Sequence, residues 1–221
     1  MAGVKYFGHS ADYQSIESIE DIFSEVERAR TTFGVVPVEN SIEGAVFSTL
    51  DSFMKHKVKI CGEVNLEISH NLVCQSGNIE DIKTVASHSQ PLAQCREWQP
   101  PQLQVVVSGI EDYRGNTTRF LVIGKKSPSR SGNDKTSLLI GLLDRPGALN
   151  EALSILADKG INLAKIESRP IKGMQWKYLF FMDMVGHMED KKIKEGCTDL
   201  QKVCSYYEWL GSYPMTEDDN N

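Results

Sequence analysis

Residues 136–160 read TSLLIGLLDRPGALNEALSILADKG, and this stretch decides the fold of the C-terminal part of the chain. The apolar run over 136–143 predicts a strand, and residues 144–147 are typical of a tight turn. Residues 148–159 predict a helix that Gly160 ends. The apolar face of this helix comprises Leu149, Ala152, Leu153, Ile155 and Leu156. The stretch therefore begins a unit in which strands and helices alternate.

The residues that follow, 162–213, are predicted to form three further strands and one helix. We predict strands over 162–170 and 177–185, joined by a turn at residues 172–173. A helix over 190–204 and a strand over 206–213 come next. The resulting order βαββαβ, in under about 80 residues, is the ferredoxin-like pattern.

A polar segment separates this unit from the first part of the chain. Residues 125–134, KKSPSRSGND, contain Pro and Gly and lack hydrophobic periodicity, so they predict a linker. The predicted domains are therefore 1–124 and 135–213. Residues 214–221 are predicted to form an acidic, disordered tail.

The first unit also alternates predicted strands and helices. A capping box at residues 18–21 opens a helix, a strand covers 33–38, and a further helix covers 42–54. The remaining predicted elements are strands over 58–61, 63–73, 82–86, 103–107 and 120–123 and a helix over 89–98. This alternation predicts a largely parallel α/β sheet, in which ligands bind beyond the carboxyl ends of the strands.

The composition excludes several classes of function. The 221 residues carry a formal net charge of −6 and no basic stripe, which argues against nucleic-acid binding. No apolar run approaches a membrane span, and the N-terminus lacks the apolar stretch of a signal peptide, so we expect a cytoplasmic protein. The five cysteines are odd in number and show no C-x-x-C spacing, which predicts neither a disulfide framework nor a zinc site.

Polar residues gather where predicted strands end or begin. Asn40 and Ser41 precede the helix predicted over 42–54, whose N-terminus would bind an anion; the alternative is that they only cap this helix. Thr118 and Arg119 set a hydroxyl beside a guanidinium, which can grip a carboxylate with two parallel bonds. The alternative for this pair is a turn with a surface arginine.

Residues 87–91, SHSQP, form another cluster between a predicted strand and a predicted helix. His88 is a candidate proton donor or anion contact, and the alternative is an ordinary loop histidine. Residues 67–71 form a weaker cluster, which we interpret as the polar face of a half-buried strand. The clusters supply donors and one cation, without a metal-ligand set or a Gly-rich nucleotide loop. They favour a small anionic substrate.

These clusters, in this order, resemble the prephenate dehydratase family. The matching stretches are residues 33–44 (FGVVPVENSIEG), 87–95 (SHSQPLAQC) and 116–120 (NTTRF). The second unit resembles the C-terminal ACT domain of the family through residues 147–149 (GAL) and 167–170 (ESRP). The resemblance implies a periplasmic-binding-protein-like, two-lobed α/β catalytic domain followed by a ferredoxin-like ACT domain.

The family converts prephenate to phenylpyruvate, with loss of water and carbon dioxide, on the route to phenylalanine. The resemblance implies that Thr118 hydrogen-bonds or protonates the leaving hydroxyl and that Arg119 clamps a carboxylate. No cofactor is implied, and arogenate, the amino analogue of prephenate, is an alternative substrate. The residues implied to line the cleft are Asn40, Ser41, Ser87, His88, Gln90 and Phe120.

For the ACT unit, the resemblance implies that phenylalanine binds as an effector at an interface between subunits of a homodimer or homotetramer. Gly147 would let the backbone approach the ligand. The residues implied to bind the effector are Gly147, Ala148, Leu149, Glu167, Ser168, Arg169 and Pro170.

The chain departs from the family pattern in three places. The Gly-rich loop with which the family opens has no counterpart before residues 1–8, and the helices and strand expected after Trp98 are shortened to a few residues. Ser89 and Pro91 stand where the family tends to have Pro and Ala. We therefore expect an incomplete catalytic domain. The alternatives to an enzyme are a non-catalytic phenylalanine-binding protein and a protein that binds a small acid without turnover.

Overall fold

The structure is a computed structural model, and it describes residues 1–83, 104–110, 115–170 and 178–216. The elements of the first unit are α1 (Ala2–Phe7), α2 (Ile19–Glu27), β1 (Gly34–Asn40), β2 (Gly44–Ala45), α3 (Phe47–Phe53), β3 (Lys59–Glu67), β4 (Asn71–Cys74), β5 (Gln104–Ser108) and β6 (Thr117–Gly124). Those of the second unit are β7 (Asp134–Leu142), α4 (Ala148–Asp158), β8 (Leu163–Pro170), β9 (Tyr178–Val185), α5 (Lys191–Val203) and β10 (Cys204–Pro214). No helix in these ranges has the length and apolarity that crossing a bilayer requires.

The main sheet of the first unit has the strand order β2-β1-β6-β3. The predicted parallel sheet is wrong for the described strands, because β6 lies between β1 and β3 and runs antiparallel to both. Strands β4 and β5 form a separate antiparallel pair. The alternation of strands and helices along the sequence does not determine the order of strands in the sheet. It therefore could not predict that β6, the last strand of the unit, lies between β1 and β3.

The helix predicted over 42–54 is shorter than expected. Gly44 has a φ of 81° and takes part in β2, which folds back on β1 in the register Asn40↔Gly44. A glycine tolerates this left-handed conformation, and the helix begins only at Phe47. Helix α1 was not predicted. The strand predicted over 82–86 does not include residues 82–83, and the rest of it, like the helix predicted over 89–98, lies outside the described residues.

The second unit confirms the predicted βαββαβ order. Its sheet has the strand order β10-β7-β9-β8, and every neighbouring pair is antiparallel. Helix α4 ends at Asp158, one residue before the predicted end. The turn predicted at residues 172–173 lies outside the described residues. Helices α4 and α5 cover one face of the sheet through a cluster that includes Ala152, Leu156 and Ile193.

The other face of this second sheet packs against the first unit. Phe53 of α3 and Phe181 of β9 belong to one buried cluster, with ring centroids 6.3 Å apart. The segment between the units is held as well, because the Ser127 hydroxyl donates to the Ser212 carbonyl and accepts from the Ser212 N–H. The two units therefore share a core, so the first sheet is supported directly by the second.

Candidate active site

The centre of the candidate site is a hydrogen-bonded group formed by Asn40, Asn116 and Thr118. Strands β1 and β6 pair in the register Asn40↔Thr118, which brings these side chains together. Asn40 Nδ2 donates to Thr118 Oγ1 at 2.9 Å and to Asn116 Oδ1 at 2.7 Å. All three residues are buried. The arrangement fixes the Thr118 hydroxyl in position.

The hydrogen bonds of the Asn40 side-chain oxygen determine which way the amide is turned. Asn40 Oδ1 accepts from the backbone N–H groups of Ile42 and Glu43 at 2.9 and 3.0 Å. Because backbone N–H groups only donate, the oxygen must face them, and Nδ2 must face Thr118. The Thr118 oxygen therefore accepts a hydrogen bond, which leaves its own proton free to be donated elsewhere.

Ser41 closes the same end of the sheet. Its N–H donates to the Thr117 carbonyl at 2.8 Å, and its hydroxyl accepts from the Thr117 N–H at 2.9 Å. The predicted anion site at a helix N-terminus is wrong for Asn40 and Ser41, because α3 begins six residues after Ser41. Ser41 is exposed beside the group and holds the turn that orients Asn40.

Arg119 lies on the opposite face of β6 from Thr118, since neighbouring side chains of a strand point to opposite faces. Its Nε and Nη2 both lie 2.7 Å from Glu63 Oε2, its Nη1 lies 2.8 Å from Asp183 Oδ2, and Nη2 donates to the Tyr213 hydroxyl at 3.1 Å. The predicted side-by-side pair of Thr118 and Arg119 is therefore wrong. The guanidinium contacts carboxylates of its own chain and does not face the Thr118 hydroxyl.

The electrostatics of this second group are those of a buried ion-pair cluster. Burial alone would lower the pKa of the Arg119 guanidinium, but Asp183, Tyr213 and Glu63 raise it above its ordinary value. Burial would raise the pKa of Glu63, but Arg119 and Lys135 bring it below its ordinary value. Burial raises the pKa of Tyr213 well above its ordinary value. The Arg119 guanidinium and the Glu63 carboxylate therefore stay ionised, and the Tyr213 phenol stays neutral, near pH 7.

The remaining residues predicted for the cleft divide into two sets. Phe120 is half-buried on β6, in register with Pro37 and Val64, and strand alternation places it on the same face as Thr118. Ser87, His88 and Gln90 lie outside the described residues.

The predicted effector residues lie at the start of helix α4 and along strand β8. Gly147 precedes α4 with a φ of 81°, Ala148 is buried and Leu149 is partly exposed. Along β8, exposure alternates, so that Glu167 and Arg169 are partly buried and Ser168 and Pro170 are exposed. Their β9 partners alternate as well, since Phe181 and Leu179 belong to the cluster shared with the first unit and Phe180 packs against the cluster under the helices.

Arg169 contacts the first unit directly. Its Nε donates to Asp51 Oδ1 at 2.8 Å and its Nη2 to Asp51 Oδ2 at 3.0 Å, and the guanidinium lies 4.4 Å from the centroid of the Phe47 ring. The bidentate geometry is the strong form of such a pair. The Asp51 hydrogen bond and charge raise the pKa of Arg169, although burial opposes this. One predicted effector residue is thereby bound to helix α3.

Sequence reasoning missed Glu63, Asp183 and Tyr213, and it did not assign a role to Asn116. Asp183 carried a signal, because it is an acid inside the apolar run FFMDMV at residues 180–185, and a buried charge requires a partner. Glu63 begins the strand predicted over 63–73, and its position gave no comparable indication of a buried charge. Asn116 stood in the NTTRF stretch beside the predicted residues.

Comparison with known proteins finds similar sequences for both units. The family model for prephenate dehydratase matches residues 1–100, and the model for the ACT domain matches residues 136–195. The chain is 39% identical over 252 residues to a bifunctional chorismate mutase/prephenate dehydratase of Aquifex aeolicus, with 97% of the chain and 70% of the relative covered. It is 35% identical to the prephenate dehydratase of Methanocaldococcus jannaschii, with 90% and 86% covered.

A solved structure has the same fold. The prephenate dehydratase of Arthrobacter aurescens, solved in complex with L-Phe, superposes with a TM-score of 0.80 at 28% identity and covers 90% of this chain and 80% of that one. The two units thus define the class, a mixed α/β catalytic domain followed by an ACT domain. The chain belongs to the prephenate dehydratase family, which confirms the resemblance predicted from its motifs.

Proposed function

We propose that this chain is a prephenate dehydratase, which converts prephenate to phenylpyruvate with loss of water and carbon dioxide. The observation that carries the proposal is the hydrogen bond from Asn40 Nδ2 to Thr118 Oγ1. Because the threonine oxygen accepts from Asn40, its proton is available to a leaving hydroxyl. The relatives named prephenate dehydratase, at 35% and 39% identity, support the same reaction.

The proposed reaction breaks one C–O bond and one C–C bond. The ring hydroxyl departs with a proton as water, and the electrons of the bond to the ring carboxylate enter the ring as carbon dioxide leaves. The product ring is aromatic, so the reaction has a large driving force. A threonine hydroxyl is a weak acid, and we infer that Thr118 assists mainly by a fixed hydrogen bond to the departing oxygen.

The rest of the cleft is proposed from the family motifs. Ser87, His88 and Gln90 are proposed to line the cleft, and Phe120 is proposed to contact the ring. Ser41 and Asn116 are proposed to complete the polar wall around Asn40. Arg119 is not proposed to contact the substrate, because Glu63 and Asp183 already pair with it.

We further propose that L-phenylalanine is the effector of the ACT unit and that two copies of the chain meet where it binds. The L-Phe complex of the Arthrobacter aurescens protein supports the ligand. We propose a homodimer or homotetramer that works in the cytoplasm.

The test measures phenylpyruvate formation from prephenate, with arogenate assayed in parallel. Thr118→Val removes the hydroxyl at nearly constant shape and should abolish most of the turnover, whereas Thr118→Ser should retain it. Hydroxyl donors of this kind contribute about 10²–10³-fold to rate. A folded wild-type protein that converts neither substrate would overturn the proposal, and an active Thr118→Val would remove Thr118 from its role.

A second candidate is a phenylalanine-binding protein without catalysis. The alignment with the Aquifex aeolicus relative spans 252 residues and includes 97% of the 221 residues of the chain, so part of the relative has no counterpart here. This is what the predicted shortening of the second lobe would produce. Calorimetry that detects phenylalanine binding by a protein without turnover would favour this candidate.

A further inference from the structure

A buried ion-pair cluster joins the two units directly behind the strand that carries Thr118. We call Glu63, Arg119, Asp183 and Tyr213 the bridge cluster. Its members come from four different strands, β3 and β6 of the first unit and β9 and β10 of the second. The side chains of Glu63 and Asp183 are 2% and 1% exposed, and that of Arg119 is 13% exposed.

The polar groups of the bridge cluster have further partners that fix their geometry. Glu63 Oε1 accepts from Lys135 Nζ at 2.8 Å and from the Thr216 N–H at 3.0 Å. Ser137 Oγ donates to Asp183 Oδ1 at 2.5 Å and lies 2.8 Å from the Tyr213 hydroxyl. Glu63 and Asp183 thus face the cations Arg119 and Lys135, and Arg119 Nη1 also lies 3.9 Å from Glu39 Oε2.

A cluster of this kind is a poor device for stability alone. Removing ions from water costs several kcal/mol for each ion, and apolar residues of similar size often serve stability as well or better. The cluster does fix the Arg119 side chain in one conformation, because a guanidinium bound by both Glu63 and Asp183 cannot rotate. Arg119 and Thr118 are consecutive in β6, so the rotation of the strand that fits Arg119 to its partners also determines where Thr118 points.

We propose that Arg119 is a positioning residue for the dehydration, and that the ACT unit, through Asp183 and Tyr213, holds it and thereby aims the Thr118 hydroxyl. This inference rests on the proposed function. It gives the ACT unit a direct structural part in the catalytic site. It also argues against a role for Arg119 in binding the substrate carboxylate, because the guanidinium would then have to break its contacts with Glu63 and Asp183.

The test compares Asp183→Asn and Tyr213→Phe with a matched control. The control is Glu208→Gln, which breaks the Lys57–Glu208 pair of 3.3 Å that joins the same two units at the surface, where Lys57 is 80% exposed. A small misplacement of a reacting group costs up to about 100-fold in rate. We therefore expect kcat to fall about 10- to 100-fold in the two bridge variants with KM within about twofold, and to stay unchanged in the control.

Two results would overturn the positioning role. One is a wild-type kcat in folded Asp183→Asn and Tyr213→Phe. The other is a raised KM with unchanged kcat, which is the signature of lost substrate binding. Tyr213→Phe keeps the ring and removes only the hydroxyl, so it decides the question if Asp183→Asn fails to fold.

A second measurement does not require turnover. Hydrogen exchange of the amides at residues 117–124 should be faster in Tyr213→Phe than in the wild type, and unchanged in Glu208→Gln. Absence of turnover in the wild type would refute the proposed function, yet the exchange experiment would still report on the bridge. Equal exchange in Tyr213→Phe, Glu208→Gln and the wild type would refute the inference itself.

Discussion

Asn40 donates its amide hydrogen to the Thr118 hydroxyl across strands β1 and β6, and the two atoms lie 2.9 Å apart. The oxygen of the same amide accepts from two backbone N–H groups of the turn that follows β1. One side chain therefore orients the turn, the strand pair and the hydroxyl together. A mutation can therefore remove the hydrogen bond that the Asn40 nitrogen donates and keep those that the Asn40 oxygen accepts.

Asn40→Asp should retain the turn and lose the catalytic orientation. A carboxylate still accepts from the Ile42 and Glu43 N–H groups, but it cannot donate to Thr118 and would instead attract the threonine proton. We expect kcat for prephenate to fall at least about 100-fold, with a loss of about 1–3 kcal/mol in the free energy of unfolding. Steady-state kinetics and urea denaturation measure the two effects.

The control for this variant is Asn71→Asp, at an exposed amide of β4. It introduces the same charge away from the hydrogen-bonded group, and both kinetics and stability should stay close to those of the wild type. An Asn40→Asp protein with wild-type kcat would show that the proton of Thr118 does not need to be free.

The Arg169–Asp51 pair should contribute measurable coupling between the units. The pair is bidentate, and its side chains are only 17% and 14% exposed. A double-mutant cycle with Arg169→Ala and Asp51→Ala, followed by urea denaturation, should give a coupling free energy of about 1–2 kcal/mol. The exposed Arg145–Glu151 pair within the second unit is the control and should give about 0–1 kcal/mol.

The same Arg169 variants test the effector site. If Arg169 connects phenylalanine binding to helix α3, Asp51→Ala should change the affinity for phenylalanine measured by calorimetry, although Asp51 is not among the predicted effector residues. An unchanged affinity in Asp51→Ala, with a clear loss in Arg169→Ala, would mean that Arg169 binds the ligand without transmitting its binding through Asp51.

Glu63 should make the stability of the protein sensitive to acid. Burial would raise the pKa of Glu63, but Arg119 and Lys135 hold it below its ordinary value. A carboxylate with a depressed folded-state pKa contributes stability above its unfolded pKa of about 4.3, and this contribution is lost as the pH falls through the lower folded-state value. Wild-type stability should therefore decrease as the pH falls below about 4.3.

Glu63→Gln removes this dependence. At pH 7, the variant should lose about 3–5 kcal/mol, because Arg119 and Lys135 remain with less compensation. Its disadvantage should shrink in urea denaturation at pH values below about 4.3, because the carboxylate of the unfolded wild type becomes protonated there before that of the folded protein. Parallel stability curves for the two proteins from pH 7 to the acid limit would contradict the assignment of the shift to Glu63.

Gly211 should be required for the packing of β10 against the first unit. A Cβ added there would lie 2.4 Å from the Ile60 carbonyl oxygen and 2.9 Å from the Ile60 nitrogen, and the φ of Gly211 is 152°. Because backbone atoms of β3 cannot move aside as a flexible side chain would, Gly211→Ala should cost about 2–4 kcal/mol in thermal or urea denaturation.

Gly132→Ala is the matched control for this change. Gly132 also has a positive φ, of 100°, but nothing lies within 4 Å of its added Cβ. Its cost should be limited to backbone strain, about 1–2 kcal/mol. Equal losses in the two variants would show that the contact with Ile60 carries no penalty of its own.

Local signals explain which elements could be predicted. Helical spacing of apolar residues and the stop at Gly160 located α4 to within one residue, since both signals act within a single element. The same reasoning extended a helix over 42–54 that begins only at Phe47, because pairing of Glu39 with Ala45 and the positive φ of Gly44 outweigh helical spacing there. The antiparallel sheet was missed because strand direction depends on pairing between distant segments.

By itself, the sequence determined the βαββαβ unit and the motifs around Asn40 and Thr118 that identify the family. Only the tertiary structure decided which groups meet across the sheets. Arg119 precedes Phe120 in a motif that suggested substrate binding, but its partners Glu63 and Asp183 lie on strands far from it in the chain. Alternation along a strand turns Thr118 and Arg119 to opposite faces, and the neighbouring strand β3 and the packing of the second sheet then supply the charges that hold Arg119.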